Sequence, residues 1–303
     1  MHIISASRRT DIPAFHAEWF MNRIRSGFVL VRSPFSSKIF RVSLSQQDVV
    51  AIVFWTKDAA PLLPYLDELS DSGHCFTIMY TINNYPAFLE PGVPRRGHTM
   101  QVVDTLVKRF SSSVLRWRYD TIVLTERTDR RWHLRNFENL CQALAPYTKE
   151  CIFSFCDYYR KTVKNMSLSA PDYRVPDQHE CIEIAQEMGH IARKWGIELD
   201  SCAHDFLVSD LIGKARCIDS DFLAGVVDTT ERKAALQALK TVPTRPECGC
   251  AESKDIGAYN TCAHGCLYCY ANADFGLARH NLSLMDPDDS CLDPRGAGTW
   301  FQQ

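Results

Sequence analysis

Val49-Val-Ala-Ile-Val-Phe-Trp55 is a short apolar run that ends in Thr56-Lys57. It reads as a buried strand running into a polar strand end. Comparable runs flank it: His2–Ser7 before it, and Cys75–Thr81, Val114–Tyr119, Cys151–Cys156 and Ile197–Cys202 after it. Amphipathic stretches lie between them. Asp11 is placed to cap a helix that carries Phe15, Trp19 and Ile24 on one face and stops at Gly27. Met100, Val103, Val107 and Phe110 share a helical face, as do Phe137, Leu140, Cys141 and Leu144. Cys181, Ile184, Ala185, Met188, Ile191 and Trp195 give the clearest 3.6-residue period. Six strand–helix units in series imply a parallel sheet with helices on its outer face.

The expected fold is therefore α/β. A partial (βα)6 TIM-like barrel over residues 1–205 is the first choice, and a doubly wound open sheet the second. Residues 206–303 differ in character: a helical stretch near Thr230–Lys240 gives way to Pro-, Gly- and Cys-rich sequence. They are expected to form a cysteine-rich, cluster-binding extension that folds back over the barrel mouth. Lys161–Asp177 reads as a lid or loop, and the tail from Asp286 as loosely ordered.

The chain has 303 residues, 46% hydrophobic and 23% charged, which suits a globular protein with a sizeable core. A net charge of −2 gives no global positive field to draw it to nucleic acid. No run approaches the roughly 18 apolar residues of a membrane span, and the first residues lack the order of a signal peptide. The expected location is cytoplasmic, without a membrane partner. Thirteen cysteines then matter, because clustered cysteines in a reducing compartment bind metal or do redox chemistry. Cys75, Cys141, Cys151, Cys156 and Cys181 lie in strand or helix patterns and read as core. Cys202, Cys217, Cys248, Cys250, Cys262, Cys266 and Cys269 crowd into the last third, mostly in turn-rich sequence.

Parallel α/β folds bind ligands at the C-terminal ends of their strands, and unusual residues gather there. Strand one runs into Arg8, Arg9, Thr10 and Asp11, strand two into Thr56 and Lys57, and strand three into Asn83 and Glu90. Strand four carries Arg118, Tyr119 and Asp120, strand five ends in Cys156 and Asp157, and strand six in Cys202. Arg118 and Asp120 share parity and point to one side. If that side is interior they need partners or a ligand. Arg8, Lys57 and Arg118 together suit a carboxylate or phosphate. Tyr119 and Cys156 also sit near strand ends, with core packing as the alternative to a chemical role for each.

Cys262-Ala-His-Gly-Cys266-Leu-Tyr-Cys269 carries the strongest chemical signal. Three thiolates in one tight loop can hold three irons of a cubane and leave the fourth open. Gly265 lets the loop wrap closely and Tyr268 supplies an aromatic wall. A zinc knuckle is the alternative, although zinc usually takes paired spacings and four ligands. The motif resembles the radical-SAM signature, with an aromatic residue before the last cysteine. The wider chain resembles a bacterial family of unknown function with such a motif near its C-terminus. Ile3-Ile-Ser-Ala-Ser-Arg-Arg-Thr-Asp-Ile-Pro13, Phe54-Trp-Thr-Lys57, Arg116-Trp-Arg-Tyr-Asp120 and Asp255–Asn272 carry that resemblance. More distantly, Arg118-Tyr119-Asp120 is similar to spore photoproduct lyases.

The resemblance implies a 4Fe–4S cluster on Cys262, Cys266 and Cys269, S-adenosylmethionine on its open iron, and radical chemistry on an organic substrate. It implies a small electron-donor protein such as flavodoxin or ferredoxin as partner. Arg118, Asp120, Lys57, Tyr119 and Cys156 are the candidate catalytic residues. Arg8, Arg9, Thr56, Asp157 and Tyr268 are the candidate cofactor-binding residues. The motif follows all six predicted units rather than the first strand, so the C-terminal segment must return to the strand ends. Cys202, Cys217, Cys248 and Cys250 supply the four thiolates of a second iron–sulfur cluster, or of a zinc site. Two other functions stay open: repair or modification of nucleic acid by the same chemistry, and a non-enzymatic electron-transfer or redox-sensing module.

Overall fold

A computed structural model describes residues 1–293. Its strands are β1 (His2–Ala6), β2 (Phe28–Arg32), β3 (Ile39–Ser43), β4 (Val49–Thr56), β5 (Phe76–Thr81), β6 (Leu115–Ile122), β7 (Glu150–Phe155), β8 (Glu198–Ser201), β9 (Gly213–Lys214) and β10 (Ser253–Asp255). Eight of them form one parallel sheet in the order β10-β1-β4-β5-β6-β7-β8-β9. The hairpin β2–β3 stands apart and is antiparallel. All six predicted strands are present. Among the described residues β9 and β10 do not pair with each other, so the sheet is open at both edges. Residues beyond 205 supply those two edge strands and so belong to the same sheet.

The helices are α1 (Ile12–Phe15), α2 (Ala17–Ser26), α3 (Leu66–Asp71), α4 (Arg96–Phe110), α5 (Arg130–Leu144), α6 (Arg160–Ser169), α7 (Gln178–Lys194), α8 (Ser220–Ala224), α9 (Thr230–Gln237) and α10 (Phe275–Ser283). Asp11 caps α1 by accepting from the Ala14 N–H, the chain breaks at His16, and α2 ends at Gly27 with φ 75°. Only a residue without Cβ adopts that conformation freely. Asp129 and Asp177 cap α5 and α7 in the same way as Asp11. The helix α6 fills much of the stretch expected to be a loop. It buries only Thr162 and Met166, too little for an apolar stripe to show in the sequence. The Asp286 tail is tied down as far as it is described: Leu30 N–H donates to the Ser290 carbonyl at 2.7 Å. Residues 294–303 lie outside the described residues.

Strand alternation sorts the sheet into two faces. Ile4, Ile52, Phe54, Ile78, Tyr80, Trp117 and Phe153 pack with Phe20, Leu106, Leu140 and Met188 of the long helices. Ile3, Ala51, Val53, Trp55, Met79 and Ile152 face the other way, against Ala215, Ile218, Leu223, Val227, Leu236 and Cys250. The late part of the chain therefore covers the second face. Among the described residues no helix is long and apolar enough to cross a membrane.

Candidate functional site

Arg116, Arg118 and Asp120 project from β6 toward the second face, where the cysteine-rich segment lies. Arg118 pairs with Asp120 at 2.7 Å, and the Ser154 hydroxyl donates to the same carboxylate. Burial works against a charged Asp120, but Arg118 and the hydroxyl outweigh it and hold its pKa down. On β4's end, Lys57 pairs with Glu90 at 2.8 Å with both side chains largely buried. Burial opposes both charges and each partner restores the other, raising Lys57 and lowering Glu90. Asn83 ties these groups together: its amide donates to Glu90 (3.1 Å), the Asp120 carbonyl (2.9 Å) and the Tyr268 oxygen (3.1 Å).

The loop of Cys262, Cys266 and Cys269 docks on this bed. Tyr268 donates to Glu90. Leu267 N–H donates to the Leu89 carbonyl at 3.0 Å, and Gly92 N–H to the His264 carbonyl at 2.8 Å. Gly265 takes φ 70°, a turn that suits glycine. His264 holds the Asp11 carboxylate at 2.8 Å through Nε2 and the Gly92 carbonyl at 3.0 Å through Nδ1. Both partners only accept, so both ring nitrogens donate and none is left for a metal. Cys262, Cys266 and Cys269 lie close enough for Cys266 to feel both of the others. Burial pushes all three thiols up, so loading a metal here displaces protons.

The second cysteine set comes from three loops. Cys202 follows β8, Cys217 follows β9, and Cys248 and Cys250 precede β10. The Cys202 and Cys217 sulfurs are 3.4 Å apart. Cys250 hydrogen-bonds with Cys217 and Cys248, and its sulfur accepts from the Ile218 N–H at 3.4 Å. Arg245 donates to the Cys202 sulfur at 3.3 Å and pairs with Asp157 at 2.6 Å. The Cys217 contact, reinforced by Arg118 and Arg245, lowers the Cys202 thiol against the opposing effect of its burial. Arg116, paired with Glu150, donates to the Arg216 and Cys217 carbonyls at 3.0 and 3.2 Å and fixes that strand of chain.

Of the other predicted residues, Tyr119, Thr56 and Arg9 are engaged elsewhere, while Cys156 and Arg8 border this place. Tyr119 faces the helices, where its hydroxyl meets His133 at 2.8 Å. Thr56 accepts from the Asp58 N–H at 2.8 Å and shapes a turn. The Arg9 guanidinium donates to the Asp255 carboxylate at 3.0 Å and to the Asp255 backbone carbonyl at 2.6 Å. Cys156 packs with Tyr268, Cys266 and Cys269 in a small apolar cluster. Arg8 lies against the Trp55 ring. Reading the sequence singled out neither Arg245 nor Asp255, and gave Trp55 no role. Asp255 is the hub of the β1 end: it accepts from Ser5, Ser7, the Arg8 N–H and Arg9. A lone aspartate just before the cysteine loop carries no local signal of that role.

These features define an open parallel α/β protein with one cysteine group docked at the C-terminal ends of its strands and a second lying over the second face of its sheet. The chain belongs to a family described as a domain of unknown function, DUF1848, which matches residues 3–271. Comparison with curated proteins gives no match, and comparison with solved structures gives none.

Proposed function

We propose that this chain is an iron–sulfur enzyme of the radical-SAM type, acting on an organic substrate at the strand ends of an open, partial (βα)6 barrel. One observation carries the reading. The loop offers three thiols, and the imidazole between them, His264, is fully engaged elsewhere. A cubane asks for one thiolate on each iron, and three thiols in one anchored loop fit that need.

Such a cluster supplies, when bound, the chelation and one-electron cleavage of S-adenosylmethionine that starts radical chemistry. The chain's own residues do the rest. Cys262, Cys266 and Cys269 hold the cluster, while Asp11 and Gly92 fix the loop through His264. Lys57 places a positive charge beside Cys266, kept in register by Glu90 and Asn83. Cys202, Cys217, Cys248 and Cys250 hold a second, closed centre, iron–sulfur before zinc. A flavodoxin- or ferredoxin-type donor supplies the electron.

The test is anaerobic reconstitution with iron and sulfide, then reduction in the presence of S-adenosylmethionine. About eight irons per chain and release of 5′-deoxyadenosine are expected; about four irons would remove the second cluster. Fully loaded, reduced protein that forms no 5′-deoxyadenosine would overturn the radical reading and leave electron transfer in its place.

A further inference from the structure

Three guanidinium groups on the second face are held by carboxylates: Arg116 by Glu150, Arg245 by Asp157, and Arg118 in part by Asp120. Arg8 differs. Its guanidinium carbon lies 4.9 Å from the centre of the Trp55 ring, and that of Arg118 lies 4.9 Å from the same centre. Arg8 Nη2 and Arg118 Nε are both shut off from water, and neither meets an acceptor among the described residues. Trp55 is itself buried and anchored by its own N–H to Ser5 at 3.1 Å.

A buried guanidinium N–H without an acceptor is costly, and two beside one ring call for a missing acceptor. Thiolates do not fill that role. Arg118 lies near Cys202 and Cys217, and Arg8 near Cys250, yet neither orphan N–H reaches a sulfur. The stack also adjoins the other cysteine loop, since the Tyr270 hydroxyl, one residue past Cys269, donates to the Arg8 carbonyl at 2.6 Å.

We infer that Arg8, Trp55 and Arg118 form an oxyanion site between the two cysteine sets, and that the substrate presents a carboxylate or phosphate to it. The word substrate rests on the proposed radical function; the oxyanion site does not. Planar guanidinium groups match both oxyanions, and the ring holds the two cations in place.

The probes are inorganic phosphate and succinate, titrated calorimetrically into the full chain after anaerobic reconstitution. At least one is expected to bind, and its identity tells phosphate from carboxylate. Arg8→Gln and Arg118→Gln should each weaken it about tenfold or more, with Arg8→Lys recovering part. Should a variant fold poorly, the unaltered chain still answers: the bound anion should slow phenylglyoxal modification of Arg8 and Arg118, mapped by peptide mass spectrometry. Absence of binding by both anions, or binding untouched by both Gln variants, overturns the site. So does failure of a bound anion to protect the two arginines. Blocking of the anion by prior S-adenosylmethionine would make this the cofactor's own carboxylate subsite and overturn the substrate inference. Formation of 5′-deoxyadenosine, read in the same preparations, judges the radical proposal separately: anion binding without cleavage removes that proposal alone.

Discussion

His264 and Asp11 meet at 2.8 Å with both side chains almost wholly shut off from water. The contact joins the turn after β1 to the loop of Cys262, Cys266 and Cys269, across 253 positions of sequence. Asp11 also caps α1 and accepts from the Lys57 N–H at 2.7 Å. Asn caps a helix as well as Asp does, so Asp11→Asn keeps the cap through Oδ1 while turning the other end into a donor that faces both the Lys57 N–H and His264 Nε2. It leaves an imidazolium buried without its counter-charge, a loss of about 3–5 kcal/mol. Chemical denaturation should show that loss, and iron retained after gel filtration should fall; unchanged values would mean that the pair does not hold the loop.

Gly92 lies so close to the cysteine loop that a Cβ there would sit 2.7 Å from the His264 carbonyl oxygen and 3.0 Å from its Cα. Backbone cannot swing aside as a side chain can. Gly92→Ala is expected to lower stability by about 1–3 kcal/mol and to reduce iron loading by the first cysteine set, while the second set loads normally. Iron counts on the Gly92→Ala chain, with and without Cys217→Ser, separate the two sets.

Arg116→Lys tests the platform of the second set. Lysine keeps the charge but cannot reach Glu150 and two carbonyls in one plane. The expected result is a loss of about 3 kcal/mol or more and a weaker second centre, seen as a lower ratio of metal to protein after chelator challenge. Normal retention would show that Arg116 does not position Cys217.

The His133 ring is held neutral: burial brings its pKa from 6.5 down to about 4, despite the bond to the Val123 carbonyl. Unfolded chain takes up the proton near 6.5, and folded chain does not until about 4. The contribution is therefore complete above pH 6.5 and is lost as pH falls toward 4. Between pH 7 and pH 5 the unaltered chain should lose about 2 kcal/mol more than His133→Gln does. Urea unfolding at the two pH values reads the difference directly; equal losses would place the ring's proton affinity near that of free histidine.

The core strands were legible because each is a compact apolar run, as in Val49–Thr56, whose residues are all buried. The edges were not. Gly213–Lys214 and Ser253–Asp255 have no apolar pattern, and only their neighbours make them strands. The hairpin strand Phe28–Arg32 buries every second residue, but its sequence is an unbroken apolar run up to Arg32 and shows no such alternation. At the site, the cysteine loop and the polar strand ends were visible as residue types. Asn83 and Glu90 were among those polar strand ends, but their pairing with Lys57 and Tyr268 was not legible, and Arg245 and Asp255 acquire meaning only when distant loops meet. Parity placed Arg118 and Asp120 together on one side; the same rule sends Tyr119 to the opposite one.

The strand β10 pairs along β1, so residues 253–255 lie against residues 3–5. A chain emerging from the ribosome has its first strand long before its neighbour. Until position 255 is made, β1 has one unpaired edge and Arg8 and Arg9 lack the carboxylate that orders them. Contacts of such sequence separation form late and slowly. Both cysteine sets are completed in the same final interval, between Cys248 and Cys269. Metal loading is thereby placed after synthesis of position 269, and until then the growing polypeptide does not offer both centres in finished form.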